Sequence, residues 1–180
     1  MPRRSLLLDA CIAINLAAAT SIARIADALQ LTFIIAAQAA AEAGYLRDVV
    51  KGTVVLTPIN LEQYLSTEAL EIWELEATEL ALYLELALVV DDGEAATIAL
   101  ALVRGIDLAT DDRRARRLCE DRGIAEPTRT AALLRSYAEA AQLPDDEVRK
   151  MLVRVRERAS FLPARSDPDL KWWNEHIRDA

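Results

Sequence analysis

Short apolar segments that resemble buried strands alternate with longer helical segments along most of this chain. Runs rich in leucine, isoleucine or aromatic residues predict strands over residues 6–8, 32–35, 70–75 and 106–109. Residues 70–75 also fit the start of a helix, and we favour the strand. Strands that alternate with helices favour a parallel α/β sheet. Because ligands of such sheets bind beyond the carboxyl ends of the strands, the residues that follow each strand are candidates for function.

The other elements follow from helical periodicity and from a high content of alanine and leucine. The predicted helices cover residues 12–29, 36–49, 61–65, 77–90, 94–104, 112–122, 131–142 and 145–160. A turn with a short extended piece is predicted at residues 52–58, and a last short strand at residues 124–126. The segment from Pro163 onward is interpreted as a tail, and it contains the pair Trp172-Trp173.

Four carboxylates lie at the edges of apolar segments, where charged groups are rare unless something compensates them. Asp9 and Asp112 each follow a predicted strand, Glu42 lies in an alanine-rich helix, and Glu94 opens another helix. Four acids in one pocket would repel each other unless they shared protons or bound cations. Mg²⁺ takes oxygen ligands and keeps several waters, so a few carboxylates can hold it. The pattern therefore favours metal-assisted hydrolysis of phosphodiester bonds.

The first three acids also have structural interpretations. Asp9 can cap the helix that follows it. Glu42 can lie on a solvated helix surface, and in that case Asp48 or Glu62 would be a substitute in the pocket. Asp91 and Glu94 are spaced as a variant of the N-terminal capping box, and acids are favoured in the first turn of a helix.

Asp111 and Asp112 follow one strand and open one helix together. One of them can cap the helix while the other binds a metal ion, and their spacing does not assign the two roles. The hydroxyl of Thr110 can donate a hydrogen bond to either carboxylate or to a substrate phosphate.

The bulk composition limits the class of protein. A chain of 180 residues fits one domain, and its apolar content of 53% with 5% aromatic residues predicts an aliphatic core. The formal net charge of −8 argues against a protein that coats DNA without specificity. A nuclease remains compatible with this charge, because a bound metal ion can supply positive charge locally.

Cysteine usage and the amino-terminal segment bear on the compartment. Cys11 and Cys119 form neither a metal-spaced cluster nor a disulfide framework, which favours a reducing compartment. The apolar stretch 6–19 after two arginines mimics a signal peptide, but Asp9 and Asn15 interrupt it, so we expect a cytoplasmic protein. No uninterrupted stretch reaches the ~20 apolar residues that a membrane span needs, so no membrane partner is expected.

Three ordered motifs resemble those of the PIN domain family. They are residues 7–15 (LLDACIAIN), Gly93-Glu94-Ala95 and Thr110-Asp111-Asp112-Arg113, and the resemblance covers roughly residues 5–135. It implies a three-layer α/β/α sandwich with a central, mostly parallel sheet of four to five strands. It also implies a Mg²⁺- or Mn²⁺-dependent endoribonuclease. The implied catalytic acids are Asp9, Glu42, Glu94 and Asp112, and the implied metal ligands are Asp9, Glu94, Asp112 and Asp111.

The resemblance extends to partners and to domain organisation. Many PIN domains are VapC-like toxins that are dimeric and are blocked by an antitoxin, so it implies an RNA substrate, an antitoxin protein and a homodimer. We divide the chain into a single PIN-like domain, 1–160, with extra helices from about 131, and a tail, 161–180. The extra helices can cover the site, form a dimer surface or bind a partner.

Two further features qualify the resemblance. The family often has serine or threonine two residues after its first acid, whereas this chain has Cys11 and lacks a hydroxyl there. Four arginines end and follow the last motif, and they are hypothesised to contact the RNA backbone, because arginine pairs well with phosphate. They are Arg113, Arg114, Arg116 and Arg117, of which we assign Arg113 and Arg116, with Thr110, to substrate binding. A solvated helix face is the alternative for each arginine.

Two other functions compete with the ribonuclease. A phosphatase of the haloacid-dehalogenase type also has an aspartate directly after a strand, but it needs a second acid two residues later, where this chain has Cys11. A catalytically inactive PIN-like fold could serve as a binding or scaffold module. The presence of all four acids speaks against that alternative without proving that they bind metal.

Overall fold

A computed structural model describes residues 3–178 of the chain. Its strands are β1 (Arg4–Leu8), β2 (Leu31–Ala36), β3 (Tyr45–Val50), β4 (Thr53–Pro58), β5 (Leu70–Trp73) and β6 (Leu108–Ala109). Its α-helices are α1 (Ala10–Ala19), α2 (Ile22–Leu29), α3 (Ala37–Glu42), α4 (Ala77–Leu86), α5 (Asp92–Arg104), α6 (Arg113–Asp121), α7 (Thr130–Ala140), α8 (Asp145–Arg158) and α9 (Leu170–Arg178). A 3₁₀ turn covers Glu62–Tyr64.

Four strands form one parallel sheet in the order β5-β2-β1-β6. Leu7 and Leu8 of β1 and Phe33 of β2 are completely buried, as expected of parallel strands that are covered on both faces. Helix α2 packs against β2 and β5, and helix α5 packs against β1, β2 and β6. The predicted α/β fold, with a central parallel sheet of four strands flanked by helices, is confirmed.

The order of the strands creates a switch point between β1 and β6. The chain moves in one direction from β1 to β2 to β5, and then returns across the sheet to β6 on the other side of β1. Because parallel crossovers are right-handed, the two directions put their helices on opposite faces of the sheet. Sheets of this topology bind their ligands at such a switch point, which here lies beyond the carboxyl ends of β1 and β6.

The prediction of a helix over residues 36–49 is wrong in its second half. Helix α3 ends at Glu42, and residues 45–58 form the antiparallel hairpin β3–β4. Lys51 and Gly52 at its tip both have positive φ angles, 51° and 80°, as a two-residue hairpin turn requires. The alanines up to residue 43 produced the helical pattern, whereas the β-branched residues on both sides of this turn favour strands.

The predicted helix 12–29 is two helices, α1 and α2, with a bend of 96° between them. They meet at Thr20-Ser21, where Thr20 has an extended backbone and Ser21 is the N-cap residue of α2. No helix within residues 3–178 is by itself long and apolar enough to span a membrane, although the bent pair α1–α2 meets that criterion jointly.

The predicted strand at residues 124–126 is also wrong, because these residues have no regular structure. Pro127 lacks a backbone N–H group, and the chain reaches the sheet at the next residue through an isolated bridge from Thr128 to Ala109. The helices predicted from residue 77 to residue 160 are confirmed as α4–α8, with ends that shift by up to four residues.

The carboxyl-terminal segment forms a helix that packs on the rest of the molecule. Helix α9 contacts α7 and α8, and the side chain of Trp173 is 1% exposed. Its ring packs edge-to-face against the ring of Phe161, with the ring centres 5.5 Å apart. Helix α8 in turn packs against α1, which directly follows Asp9.

Candidate functional site

Asp9 lies at the carboxyl end of β1 and caps helix α1. Its Oδ1 atom accepts a hydrogen bond from the backbone N–H of Ala10 (2.7 Å), and its Oδ2 atom accepts hydrogen bonds from the Thr110 hydroxyl (2.8 Å) and the Cys11 thiol (3.1 Å). The side chain is 5% exposed. Burial raises the pKa of Asp9 and the charge of Asp91 raises it further, whereas the three hydrogen bonds lower it. Asp9 therefore caps α1 and at the same time lies at the switch point of the sheet.

Thr110 joins Asp9 to Asp112 across the end of the sheet. Its hydroxyl donates to Asp9 and accepts a hydrogen bond from the backbone N–H of Asp112 (3.1 Å). The side chain of Thr110 is 1% exposed. The hydroxyl was predicted to donate to Asp111, to Asp112 or to a substrate phosphate, and it donates to Asp9 instead. A substrate phosphate would have to displace that contact, so the assignment of Thr110 to substrate binding gains no support.

The two neighbouring aspartates have different surroundings. Asp112 is exposed and caps α6, because its Oδ1 atom accepts hydrogen bonds from the backbone N–H groups of Arg114 (2.6 Å) and Ala115 (2.8 Å). Its Oδ2 atom makes no hydrogen bond within the described residues. This free oxygen lies on the acid whose charge has the largest effect of any charge on Glu94.

Asp111 is bound to the start of helix α7 instead. It accepts hydrogen bonds from the hydroxyl (2.6 Å) and the backbone N–H (3.1 Å) of Thr130, and from the side-chain amide of Asn15 (3.2 Å). The same amide also donates to the Thr130 hydroxyl (2.9 Å). Burial raises the pKa of Asp111. These contacts give Asp111 a structural role between α1 and α7, whereas Asp112 keeps an oxygen available for a ligand.

The buried network around Asp111 was not predicted from the sequence. Asn15 is 4% exposed and Thr130 is completely buried. Asn15 stood out only as an interruption of an apolar run. A buried amide on the same helix that Asp9 caps needs polar partners, and this requirement is the signal that could have found the network.

Glu42 reaches the site from the end of α3. Its Oε1 atom accepts a hydrogen bond from the backbone N–H of Gly93 (2.9 Å), in the first turn of α5. A Cβ atom at position 93 would lie 2.7 Å from the Glu42 Cδ atom, so glycine is what permits this approach. Burial raises the pKa of Glu42, and the charges of Asp91, Asp9 and Asp92 raise it further.

Glu94 is the acid whose titration is changed most clearly. Burial raises its pKa to about 8, and the charges of Asp112, Asp91, Asp9 and Glu42 act in the same direction. Its carboxylate makes no hydrogen bond to any residue between 3 and 178. Asp91 caps α5 by accepting a hydrogen bond from the backbone N–H of Glu94 (2.8 Å), as one half of the predicted capping box. Asp91 is therefore a fifth acid of the site, which the sequence identified only as a cap.

The charges of Asp9, Glu42 and Asp112 thus raise the pKa of Glu94, and the charge of Asp9 also raises the pKa of Glu42. The chemistry of these acids fits a hard divalent cation, because the donors are carboxylate oxygens and because a cation would relieve their mutual repulsion. To hold such a cation together, Asp9, Glu94 and Asp112 would have to bring their carboxylates closer to one another. Within residues 3–178, however, no three histidine, cysteine or acidic side chains are close enough together to form a metal-binding group.

Cys11 occupies the position where the family pattern has a hydroxyl. Burial and the charge of Asp9 raise the pKa of Cys11 strongly, so the group stays a neutral thiol that can donate to Asp9. Burial also raises the pKa of Cys119 to about 11. The hydroxyl contact that Cys11 cannot supply comes from Thr110 instead.

The predicted arginines lie beside the acids, on helix α6. Arg113 begins the helix directly after the Asp112 cap. Arg113, Arg116 and Arg117 line a cavity of about 490 Å³ between α6 and the segment 124–129, and Arg114 does not. The acids and the arginines therefore form two adjacent regions of opposite charge.

Replacement of Glu94 by glutamine tests the electrostatics of the acids without metal. Between pH 4.5 and about 8 the folded protein holds a proton on Glu94 that the unfolded chain has released, so Glu94 lowers stability as the pH rises through this range. We expect Glu94→Gln in EDTA to melt at nearly the wild-type temperature at pH 5 and several degrees above it at pH 9. Thermal unfolding across this range measures the difference.

The matched control for this experiment is Glu62→Gln, which neutralises an exposed glutamate outside the acidic site. Its melting temperature should follow that of the wild type at every pH. If Glu94→Gln raises the melting temperature by the same amount at pH 5 and pH 9, repulsion between the acids is not the cause of the increase.

Comparison with known proteins agrees with the fold. A family model described as a PIN domain (DUF3368) matches residues 6–166. No curated protein and no solved structure matched the chain. The matched range contains every acid of the site, the helices α1–α8 and nearly all of the parallel sheet. The chain therefore belongs to the PIN domain family.

Proposed function

We propose that this chain is a Mg²⁺- or Mn²⁺-dependent endoribonuclease that hydrolyses RNA phosphodiester bonds. PIN domains are generally nucleases and typically bind divalent metals. The observation that supports the proposal most directly is that Asp9, Glu42 and Asp112 lie near enough to Glu94 for their charges to raise its pKa. These acids come from four separate segments of the chain, and ordinary capping does not require them to meet.

The residues of the site divide the work between positioning and ligand binding. Three donors, from Ala10, Cys11 and Thr110, fix the Asp9 carboxylate at the end of β1. Asp112 uses one oxygen to cap α6 and presents the other, and Glu94 presents a carboxylate free of hydrogen bonds within the described residues. A divalent ion bound there would activate a water molecule and stabilise the leaving oxygen.

Glu42 has a different part in this proposal. Its side chain is exposed, and the Gly93 N–H group holds one of its oxygens. The raised pKa of Glu42 makes its carboxylate a better proton acceptor than an ordinary surface glutamate. We assign it to accept the proton of the attacking water. Arg113 and Arg116 are assigned to the phosphates of the RNA backbone next to the cleaved bond.

The experiment that tests the function is cleavage of a mixed RNA pool by the purified chain with Mg²⁺ or Mn²⁺. Parallel reactions contain EDTA, or the double variant Asp9→Asn, Glu94→Gln. Cleavage that requires both the metal and the acids supports the proposal. Cleavage that persists in EDTA and in the double variant would come from a contaminant or from different chemistry.

A specific observation keeps a second candidate function open, namely an inactive PIN-like binding or scaffold module. Within residues 3–178 the acids do not form a compact metal-binding group. Calorimetric titration with Mn²⁺ separates the two functions. Binding that is lost in Asp9→Asn favours the enzyme, and a folded chain that binds no Mn²⁺ favours the scaffold.

The resemblance to VapC-like toxins leads to a proposal about the biological role. We infer that the nuclease is the toxin of a toxin–antitoxin pair, so its uncontrolled expression should arrest growth. Asp9→Asn expressed at the same level should not arrest growth. If both chains are equally toxic, the effect does not arise from RNA cleavage and the toxin role is rejected.

An unusual apolar surface supports the expected homodimer. Leu80 and Leu84 of α4 and Leu88 in the turn after it are 45%, 64% and 84% exposed, at successive intervals of four residues. The side of α4 that faces solvent is therefore apolar, whereas surface helices normally carry polar residues there. The acids of α4 and its N-cap, Glu76, Glu79 and Glu85, are paired with arginines of the same chain. A second copy can thus bring the same uncharged stripe into contact without opposing like charges.

Replacement of Leu84 by glutamate is expected to convert such a dimer into a monomer, because two carboxylates would be buried at the two-fold axis. Light scattering after gel filtration measures the mass. The control Leu162→Glu changes a leucine that is also 64% exposed but lies outside the stripe, and should remain dimeric. A wild-type chain that is monomeric at high micromolar concentration would contradict the proposed interface.

A further inference from the structure

The cavity beside helix α6 has features of a ligand site that the acids do not explain. It has a volume of about 490 Å³, within the usual size range of small-molecule sites. One wall is formed by arginines of α6, and the other contains Ile124, Pro127 and Arg129. The cavity therefore combines a cationic wall with apolar surface.

The charges of this cavity are not balanced within the protein. Four arginines and two glutamates line it, which leaves a net charge of +2 in a chain whose formal net charge is −8. Arg129 pairs with Glu126 at 2.6 Å. Among residues 3–178, no carboxylate lies within ion-pair distance of Arg113, Arg116 or Arg117, and the Nε atom of Arg116 is buried without a hydrogen-bond partner.

The stability of the fold does not account for these arginines. Their positive charges are in the first two turns of α6, where the helix dipole favours negative charge. The buried Nε group of Arg116 also loses its hydration without gaining a partner. An anionic ligand would satisfy both requirements, because guanidinium groups bind phosphate oxygens through paired hydrogen bonds.

The cavity also lies next to the acidic site. Arg113 follows Asp112 directly, and Arg116 and Arg117 are about one helical turn, ~5.4 Å, further along α6. An RNA strand whose cleaved phosphate sits at Asp112 would therefore pass the opening of the cavity with a neighbouring nucleotide.

We propose that this cavity is a subsite for one nucleotide of the RNA, adjacent to the phosphate that is cleaved. The arginines of α6 bind the phosphate of that nucleotide, and Ile124 and Pro127 contact its ribose or base. This inference rests on the proposed ribonuclease function and names the part of the substrate that the chain recognises. It predicts that a single nucleoside monophosphate binds without any metal ion.

The test uses uridine 5′-monophosphate in EDTA, with the full chain isotopically labelled and observed by NMR. We expect saturable shifts of backbone amides in residues 113–129. Arg117→Ala should weaken binding at least tenfold, and Arg24→Ala, which removes an exposed arginine of α2, should change it less than twofold. Arg116→Lys, which keeps the charge but not the paired hydrogen bonds, should weaken it by an intermediate amount.

Two controls make the outcomes decisive. Uridine should bind weakly because it lacks the phosphate, and inorganic phosphate should bind more weakly than the nucleotide because it misses the apolar wall. Equal affinity for inorganic phosphate and nucleotide would overturn the nucleotide subsite, as would equal losses in Arg117→Ala and Arg24→Ala. Because the measurement needs neither metal nor cleavage, a failed nuclease assay with intact nucleotide binding would reject the enzyme and retain the cavity as a nucleotide-binding site.

Discussion

Asp9→Asn is expected to lower metal-dependent RNA cleavage by at least about 100-fold while the protein stays folded. The amide has no negative charge to hold a divalent ion, so the proposed metal ligand is lost. Asparagine is nevertheless a good N-cap residue, and its oxygen can still accept the hydrogen bond from the Ala10 N–H group. The variant also removes one of several carboxylates that repel each other. Cleavage rates at saturating Mn²⁺, together with thermal unfolding in EDTA, measure the two effects.

The adjacent aspartates provide the sharpest comparison for this prediction. Asp112→Asn should lose activity in the same way as Asp9→Asn, because it neutralises the acid that presents a free oxygen beside Glu94. Asp111→Asn should chiefly lose stability, because Asp111 accepts three hydrogen bonds from Asn15 and Thr130. If Asp111→Asn loses all activity at unchanged stability and Asp112→Asn is active, the two roles are reversed.

Trp173→Ala is expected to lower the free energy of unfolding by about 3 kcal/mol, at the lower end of the range for a buried tryptophan. The ring is 1% exposed and packs against Phe161. We expect a loss of unfolding free energy at the lower end of that range because the Trp173 Nε1 group is buried without a hydrogen-bond partner among the described residues. Its burial therefore already carries a cost that the variant removes. Urea unfolding, followed by circular dichroism, measures the change.

The neighbouring residue Trp172 is a matched control. It is half-buried and packs against His176 of its own helix, with the ring centres 5.0 Å apart. Trp172→Ala should therefore cost clearly less than Trp173→Ala. Equal and small losses in both variants would mean that α9 contributes little to the stability of the domain and behaves as the tail that the sequence suggested.

Local patterns were sufficient to predict the sheet and most of the helices. The strands β1, β2, β5 and β6 were predicted because their apolar runs are short and are bounded by helical segments. Strand β3 was missed because the alanines of α3 extend a helical pattern up to residue 43, whereas the extended piece predicted at residues 52–58 contains β4. The hairpin is also held from far along the chain, since Arg158 of α8 binds both oxygens of Asp48 (2.7 and 3.2 Å).

Two of the candidate acids could be predicted from the positions of the strands. Asp9 and Asp112 follow parallel strands, and the carboxyl ends of such strands lie at the same edge of the sheet. Glu42 could be proposed but not justified from its surroundings, because its partner is the backbone of Gly93, 51 residues away. Asp91 was predicted as a cap only, since a cap depends on residues within one helical turn, whereas its effect on Glu94 and Asp9 depends on the whole pocket.

The sequence alone determined the parallel α/β order and identified the candidate acids Asp9 and Asp112, because strand polarity, helical periodicity and the placement of acids after strands are local properties. The tertiary structure decided which carboxylate oxygens are free of hydrogen bonds and can bind a ligand. It binds Asp111 to Asn15 and Thr130, leaves one oxygen of Asp112 available, and raises the pKa of Glu94 to about 8. Hydrogen bonds and burial of this kind depend on how segments far apart in the chain pack together, and no local pattern specifies that packing.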